Sequence, residues 1–173
     1  MSRYMNLIGQ NARKASLDKV NSRTKNKILK RYAFLLGKEK KSILKANQKD
    51  IQFALGKGLK NNLIERLTID EKKLIGIKNS IDKIANLKDP VDTTLEKWRR
   101  PNGLTISRVS IPIGVIGVIY ESRPNVTSDV ASLCFKSGNA VILKGGSEAI
   151  NTNKILAKLF RKSLKETRVN ENF

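Results

Sequence analysis

The sequence contains no histidine, the side chain that most often serves as a general base in enzymes. A Ser-His or Cys-His catalytic pair is therefore excluded within these 173 residues, and any chemistry must rely on other groups. The single cysteine, Cys134, cannot form an internal disulfide, and one thiol without histidine cannot build a structural zinc site. We expect no metal site.

Long apolar runs are also missing. No stretch approaches the roughly 20 apolar residues that a membrane helix needs. The first residues, MSRYMNLIGQNARKAS, lack the apolar block of a secretory signal. Together with the single cysteine, these absences predict a cytoplasmic protein that has no membrane partner. With 39% apolar residues, the chain can still bury a sizeable core.

Acidic and aromatic residues are both scarce. The formal net charge is +20, which in isolation suggests attraction to polyanions such as nucleic acid. The basic residues are nevertheless scattered through every segment, and aromatic residues suited to base stacking make up only 5% of the chain. We therefore expect solvated lysine-rich faces and no nucleic-acid partner.

Residues 1–92 have the apolar periodicity of helices. The first clear run has Ser22 as a plausible cap and Gly37 as a likely stop. A second run ends at the glycines of GKGLKNN. A third begins after Thr68 with acidic residues that suit the positive end of a helix, and it ends before Pro90. This region is predicted to be helical.

Residues 93–111 and 112–173 have a different character. The alternation in LEKWRRPNGLTISRVSI, interrupted by Pro-Asn-Gly, predicts a β-hairpin. Two apolar runs follow, Ile113–Ile119 and Ala140–Leu143, and both are typical of strands buried on both faces. Helices are expected after each of them, the last over Ser147–Leu164. Strand, helix, strand, helix indicates an α/β fold with a parallel sheet and right-handed crossovers.

The helix expected after the first buried strand begins beyond Arg123 and Pro124. Its predicted packing face carries Val130, Leu133, Cys134 and Ser137. Cys134 lies within the apolar run VASLCF and has no histidine to activate it. We interpret it as a buried structural thiol.

The junction KGGSE is the first candidate site. It consists of Lys144, Gly145, Gly146, Ser147 and Glu148, where a buried strand meets a helix. Glycines allow a ligand to approach the backbone, amides at a helix start attract anions, and a serine can cap the helix. This arrangement suits a phosphate or a ribose, but an ordinary glycine turn with a serine cap explains it nearly as well.

The loop ESRPN is the second candidate. Glu121, Ser122, Arg123 and Asn125 follow the other buried strand. An asparagine amide could donate to an oxyanion, and an arginine could hold a carboxylate or phosphate. Arg-Pro-Asn is also a good helix-entry sequence, so the residues alone leave both interpretations open.

The motifs ESRPNVT and KSGNAVILKGGSEA lie within Pro101–Asn153, a stretch that resembles the gamma-glutamyl phosphate reductase family. Upstream segments, including ANQKDIQFALGKGL and LIERLTIDEKKL, resemble the helical part of the same family. More distantly, the paired strands resemble the cofactor domain of the aldehyde dehydrogenase superfamily.

The resemblance implies a truncated aldehyde dehydrogenase-like fold. Residues 1–92 would form the helical amino-terminal region and residues 93–111 the β-hairpin of an oligomerisation element. Residues 112–173 would be the first half of a Rossmann-like, parallel-sheet dinucleotide-binding domain. A homo-oligomer or a companion chain is expected.

The implied activity is the NADPH-dependent reduction of L-glutamate 5-phosphate to L-glutamate 5-semialdehyde and phosphate, in proline biosynthesis. The family uses a catalytic cysteine from a later domain, so this chain alone is expected to be inactive. The alternative is a non-catalytic remnant, or a subunit of a split enzyme, that binds a nucleotide or a companion chain.

The resemblance also implies roles for both candidate sites. Lys144 matches a lysine that contacts the adenosine ribose of NADP, with Gly145, Gly146, Ser147 and Glu148 in the neighbouring turn. The other site, Arg123 and Asn125, lies near the oxyanion amide of the superfamily and would contact the substrate.

Overall fold

The computed structural model describes residues 3–173, in which five helices precede a hairpin and a strand-helix-strand-helix unit. The elements are α1 (Arg3–Ser16), α2 (Ser22–Lys38), α3 (Lys40–Gly56), α4 (Asn61–Leu67), α5 (Glu71–Asn86), β1 (Thr94–Arg99), β2 (Thr105–Val109), β3 (Val115–Ile119), α6 (Pro124–Lys136), β4 (Ala140–Lys144) and α7 (Ile150–Glu166). A short 3-10 turn, Ser147–Ala149, leads into α7. The predicted α/β class is confirmed. None of the helices in this range is long and apolar enough to cross a membrane.

The apolar stripe of α2 forms the centre of the main core. Its fully buried members Ile28, Leu29, Leu35 and Leu36 pack in one cluster with the stripe of α5. Tyr32 lies in the same stripe, and its ring meets Phe160 of α7 edge to face at 5.1 Å. The helical region and the strand unit therefore share one hydrophobic core.

Helices α2 and α5 each begin directly after a residue whose side chain accepts a hydrogen bond from a first-turn amide. Asn21, not Ser22, caps α2: its backbone is extended and its side-chain oxygen accepts from Thr24 N at 2.9 Å. The predicted cap at Ser22 is wrong by one residue because asparagine accepts the first-turn amide as well as serine does. Asp70 caps α5 by accepting from Lys73 N at 2.6 Å. The predicted acidic start of α5 is confirmed.

The hairpin and the second sheet are separate two-stranded units. In the hairpin, β1 and β2 pair antiparallel with Trp98 opposite Ile106, and Gly103 takes the left-handed conformation that the turn requires (φ +85°). In the other sheet, β3 and β4 pair parallel, with Ile119 opposite Lys144. The predicted hairpin and parallel pair are confirmed.

The apolar runs of β3 and β4 are typical of strands buried on both faces, but within residues 3–173 the pair is incompletely covered. Ile119 is 86% exposed and Ile113 is 82% exposed, while Val115 and Val141 are partly buried against the core. Among residues 3–173, each strand has one neighbour, and α1 and α6 contact mainly β4. These strands therefore carry more apolar surface than the described residues cover.

The predicted packing face of α6 is only partly right, because Cys134 is buried as expected but Leu133 is not. Leu133 is 48% exposed, whereas Thr127, Ala131 and Phe135 are buried. The Phe135 ring meets Phe160 edge to face at 5.8 Å. Small polar residues make up much of the buried face, so the hydropathy pattern placed the face about one residue, or 100°, away from its true position.

Asp50 of α3 caps the start of α7. Its carboxylate is 1% exposed and accepts from the amides of Asn151 and Thr152 at 3.1 and 2.8 Å. It also accepts from the side chains of the same two residues, Asn151 Nδ2 at 2.8 Å and Thr152 Oγ1 at 2.6 Å. One turn earlier, buried Asn47 donates to Leu67 O and accepts from Ile69 N. The polar face of α3 therefore ties the α4–α5 junction to α7.

Asp50→Ala should lower the free energy of unfolding by about 3 kcal/mol, because it leaves buried donors of α7 without an acceptor. Urea denaturation followed by circular dichroism measures the loss. The matched control is Asp18→Ala, at an exposed carboxylate beyond α1, which should change stability by about 0.5 kcal/mol or less. A loss from Asp50→Ala no larger than that of the control would contradict the capping role.

Candidate functional site

The loops that follow β3 and β4 meet at one edge of the parallel pair. Tyr120 N donates to Lys144 O at 3.1 Å, and Ser122 Oγ donates to Glu148 Oε2 at 2.8 Å. We call residues 120–125 and 144–148 together the strand-end site. Ligands of open α/β sheets bind at this carboxyl edge. The two segments singled out in the sequence therefore form one site.

The two glycines of the turn are closely surrounded by protein. A Cβ on Gly145 would lie 2.9 Å from Tyr120 Cζ and would clash with the side chain of Asn153. On Gly146 it would lie 2.7 Å from Glu148 Oε2. Packing alone therefore accounts for both glycines, and their contact with a nucleotide stays a prediction.

Ser147 does not cap α7, which corrects the sequence prediction. It opens the 3-10 turn, and its hydroxyl donates to Glu148 Oε1 at 3.1 Å. The first-turn amides of Asn151 and Thr152 are bonded to Asp50, so an internal carboxylate occupies the positive end of α7. An external phosphate cannot use those amides. Those two amides therefore take no part in recognising a ligand at this turn.

Lys144 and Glu148 are the charged side chains of the turn. Lys144 ends β4 and is exposed. The Glu148 backbone amide and then the Ser122 hydroxyl lower the pKa of the Glu148 carboxyl, with smaller contributions from Ser147 and the nearby Lys57 ammonium. An ammonium and an ionised carboxylate in one turn provide a donor and an acceptor, which are the groups that bind sugar hydroxyls.

A chain of hydroxyls joins the first loop to two helices. Burial raises the pKa of the Tyr120 hydroxyl, so it keeps its proton and lies 2.6 Å from Thr127 Oγ1. Thr127 in turn donates to Asn153 Oδ1 at 2.8 Å. The sequence did not reveal these three residues, because only their spatial proximity sets them apart from ordinary polar positions.

Arg123 and Asn125 lie at an adjoining cavity of about 490 Å³. Across it stand residues from the end of α4 and the start of α5, and Asp129 of α6 completes the polar lining. The lining residues are Arg66, Thr68, Ile69, Lys73, Gly76, Ile77, Ser80, Arg123, Asn125 and Asp129. Sequence reasoning missed Arg66 and Asp129. The signal for Arg66 was the segment LIERLTIDEKKL, already noted for its resemblance.

Cys134 does not line this cavity. It is 8% exposed on α6, and burial raises the pKa of its thiol. A protonated, buried thiol agrees with a structural role. Within residues 3–173, no cluster of three histidine, cysteine, aspartate or glutamate side chains could hold a metal ion.

Two curated relatives of this chain carry the same name. Gamma-glutamyl phosphate reductase of Hydrogenobaculum sp. is 51% identical over 150 residues, covering 87% of this chain and 34% of that protein. The protein of the same name from Clostridium tetani is 45% identical over 169 residues, covering 96% of this chain and 40% of that protein. The chain thus spans well under half the length of these relatives. No protein-family model matches it.

Solved structures of proteins with the same name match this chain as well. Gamma-glutamyl phosphate reductase of Thermotoga maritima matches with a TM-score of 0.93 and 40% identity, over 97% of this chain and 41% of that one. Gamma-glutamyl phosphate reductase of Saccharomyces cerevisiae matches with a TM-score of 0.91 and 33% identity, over 99% of this chain and 45% of that one. A probable aldehyde dehydrogenase of Listeria monocytogenes, at 15% identity and a TM-score of 0.65 over 97% of this chain and 34% of that one, shares the fold alone.

The fold is therefore one shared with aldehyde dehydrogenases, represented over part of its length. More narrowly, in sequence and in structure the chain resembles the amino-terminal portion of gamma-glutamyl phosphate reductase. The resemblance predicted from the motifs is confirmed.

Ser122→Ala should raise the pKa of the Glu148 carboxyl toward its ordinary value of 4.5, because it removes a hydrogen bond to the ionised form. Carbon-detected NMR titration of the carboxyl measures the change. Since folding lowers this pKa, the stabilisation is present above 4.5 and is lost as the pH falls through the folded-state value.

Ser147→Ala is the matched control for that titration. Its hydroxyl contributes less to the pKa of Glu148 than Ser122 does. The control should therefore produce the smaller rise. Equal effects from the two variants, or none from Ser122→Ala, would contradict the bond that joins the two loops.

Proposed function

We propose that this chain provides the amino-terminal part of an NADPH-dependent reductase that converts L-glutamate 5-phosphate to L-glutamate 5-semialdehyde and phosphate in proline biosynthesis. The supporting observation is the strand-end site, in a chain that resembles gamma-glutamyl phosphate reductase. A cytoplasmic location is part of this proposal, and the single cysteine is in keeping with a reducing compartment.

The turn at residues 144–148 is the proposed cofactor contact. The hydride comes from the cofactor when it is bound. The Lys144 ammonium and the Glu148 carboxylate fit the hydroxyls of a ribose, since one donates and the other accepts. Gly145 and Gly146 keep the turn close to β3, and Ser147 orients Glu148. The proposed use of NADPH in place of NADH rests on the resemblance to gamma-glutamyl phosphate reductase.

Arg123 and Asn125 are the proposed substrate contacts. Both line the cavity between the start of α6 and the α4–α5 region. A side-chain amide and a guanidinium can stabilise the negative oxygen that develops on a reacting acyl group. Their proposed task is to position and polarise the acyl phosphate.

The nucleophile of the reaction is not in this chain. Reduction through a thioester needs a reactive thiolate, whereas Cys134 is buried with a raised pKa. The cysteine must come from residues beyond these 173 or from a companion chain. The same observation favours one alternative: a non-catalytic remnant, or a split-enzyme subunit, that binds a nucleotide or a companion chain.

The 173-residue chain alone should show no NADPH-dependent reduction of L-glutamate 5-phosphate, because no activated thiol is present. NADPH consumption followed by absorbance, with semialdehyde detected chemically, measures this. Cys134→Ala should leave the result unchanged. Turnover that this substitution abolishes would show that Cys134 is the nucleophile after all.

Lys144→Ala should weaken NADPH binding to the chain about tenfold, the loss of one charge-assisted hydrogen bond. Isothermal titration calorimetry measures the dissociation constant. Lys158→Ala, which removes the same charge from an exposed position of α7, should change it by about twofold or less. Equal losses in the two variants would mean that NADPH binds through net charge and not at the turn.

The uncovered apolar residues beside β3 suggest a partner. Ile111, Ile113 and Ile119 are all strongly exposed, and a bare strand edge favours association. We propose that a homo-oligomer or a companion chain covers this surface. Sedimentation velocity should show self-association of the chain, reduced in the double variant Ile113→Lys and Ile119→Lys. A compact monomer at high concentration would contradict this proposal.

A further inference from the structure

Arg66, in the last turn of α4, lines the cavity and has little bound to its guanidinium group. Among residues 3–173, its charged contact is with Glu121, at 3.6 Å between Arg66 Nη1 and Glu121 Oε2. That distance is too long for a good hydrogen bond, and both side chains are exposed, at 46% and 75%. Such a pair contributes little because solvent screens it. The donors of Arg66 are therefore available to a ligand.

Arg123 contributes a second guanidinium group to the same cavity. Its side chain forms no ion pair or hydrogen bond within the described part of the chain. It lies two residues after Glu121, the residue that Arg66 contacts. The end of α4 and the loop after β3 thus bring two largely free guanidinium groups to one cavity.

The cavity carries an excess of positive charge. A third cation, Lys73, also lines it and donates to Glu65 O at 2.8 Å and to Thr68 O at 2.9 Å. Asp129 is the acidic side chain of the described lining. One of its oxygens is buried, and the other accepts from Asn125 Nδ2 at 3.3 Å. Three cations therefore outnumber one partly shielded carboxylate, and this excess attracts anions.

We infer that Arg66 and Arg123 form a clamp for the phosphoryl group of the acyl-phosphate substrate. A phosphoryl group has about two negative charges and three acceptor oxygens, and a guanidinium can donate two parallel hydrogen bonds to a pair of such oxygens. A cavity of about 490 Å³ has room for it. This inference rests on the proposed function, in which Arg123 contacts the acyl phosphate, and it adds Arg66 as a residue that determines specificity.

A carboxylate fits the two arginines less well. It has one negative charge and two oxygens, which a single guanidinium satisfies in bidentate fashion. The second arginine would keep no partner and would be repelled by the first. The preference of the cavity for phosphate over a carboxylate is therefore the diagnostic property.

The test titrates the ¹⁵N-labelled chain with inorganic phosphate and with acetate at constant ionic strength. NMR follows the arginine Nε–Hε signals and the backbone amides. Phosphate should shift the Nε–Hε signals of Arg66 and Arg123 and should bind about tenfold tighter than acetate, because it engages one more charge-assisted pair. Equal binding of the two anions, or phosphate shifts spread over the exposed lysines, would overturn the inference.

Arg66→Gln removes one arm of the clamp and should weaken phosphate binding about tenfold. Arg66→Lys keeps the charge without the planar fork and should leave binding about threefold weaker. Lys158→Ala, at an exposed position of α7, is the matched control and should change the dissociation constant by about twofold or less. Equal losses in Arg66→Gln and the control would show that phosphate responds to net charge alone, which overturns the clamp.

Glu121→Gln tests the same clamp in the opposite direction. It removes the carboxylate that competes for Arg66 and should tighten phosphate binding about threefold, a gain that misfolding cannot produce. Asp18→Asn removes the same charge from an exposed position beyond α1 and should alter the affinity by less than about twofold. A Glu121→Gln variant that binds phosphate no tighter than this control would overturn the role of Arg66.

NADPH titration of the same samples separates this inference from the proposed function. A chain that binds NADPH through Lys144 but shows no phosphate clamp would refute only the clamp. A chain that clamps phosphate through both arginines, but whose NADPH binding is unaffected by Lys144→Ala, would refute the proposed cofactor contact instead.

Discussion

The buried carboxylate of Asp50 at the start of α7 determines what the strand-end site can offer. It bonds two backbone amides and two side chains of α7 and thereby fixes the helix that follows the turn at residues 144–148. Because Asp50 occupies these two first-turn amides, an anion at the turn cannot bind to them. The groups proposed to recognise a ligand there are the side chains of Lys144 and Glu148.

The two halves of the site are joined by side chains from different elements. Ser122 bonds Glu148 across the strand ends, and the contact of Glu121 with Arg66 links the same loop to the cavity. A nucleotide at the turn and an acyl phosphate in the cavity would lie on either side of one short loop. Such proximity is what hydride transfer to a bound acyl group requires.

Local signals in the sequence predicted much of this structure. The Pro-Asn-Gly turn predicted the hairpin, the glycines of GKGLKNN predicted the end of α3, and the run AVILK predicted β4. These features depend on residues that are neighbours in the chain. The motifs of residues 101–153 supplied the resemblance, which the similar proteins and structures confirm.

The errors arose where structure depends on distant residues. Asp50 lies about a hundred positions before the amides it bonds. The sequence pattern therefore predicted the neighbouring Ser147 as the cap of α7. The small polar residues on the buried face of α6 concealed its true packing side. Burial of β3 and β4 on both faces would need neighbours that residues 3–173 do not provide. The sequence did not single out Asp129, because its buried, unpaired oxygen is visible only in the folded structure.

The central claim is that the ends of β3 and β4 form one ligand site with two adjacent halves. Amide-shift mapping of the labelled chain with NADPH and inorganic phosphate, added singly and then together, tests it most directly. The account predicts that NADPH shifts residues 144–148, that phosphate shifts residues 123–125, and that both affect Ser122. Shifts confined to residues of α1 and α7 in the neighbouring cavity, such as Leu7 and Ala157, or spread over the exposed lysines would contradict it.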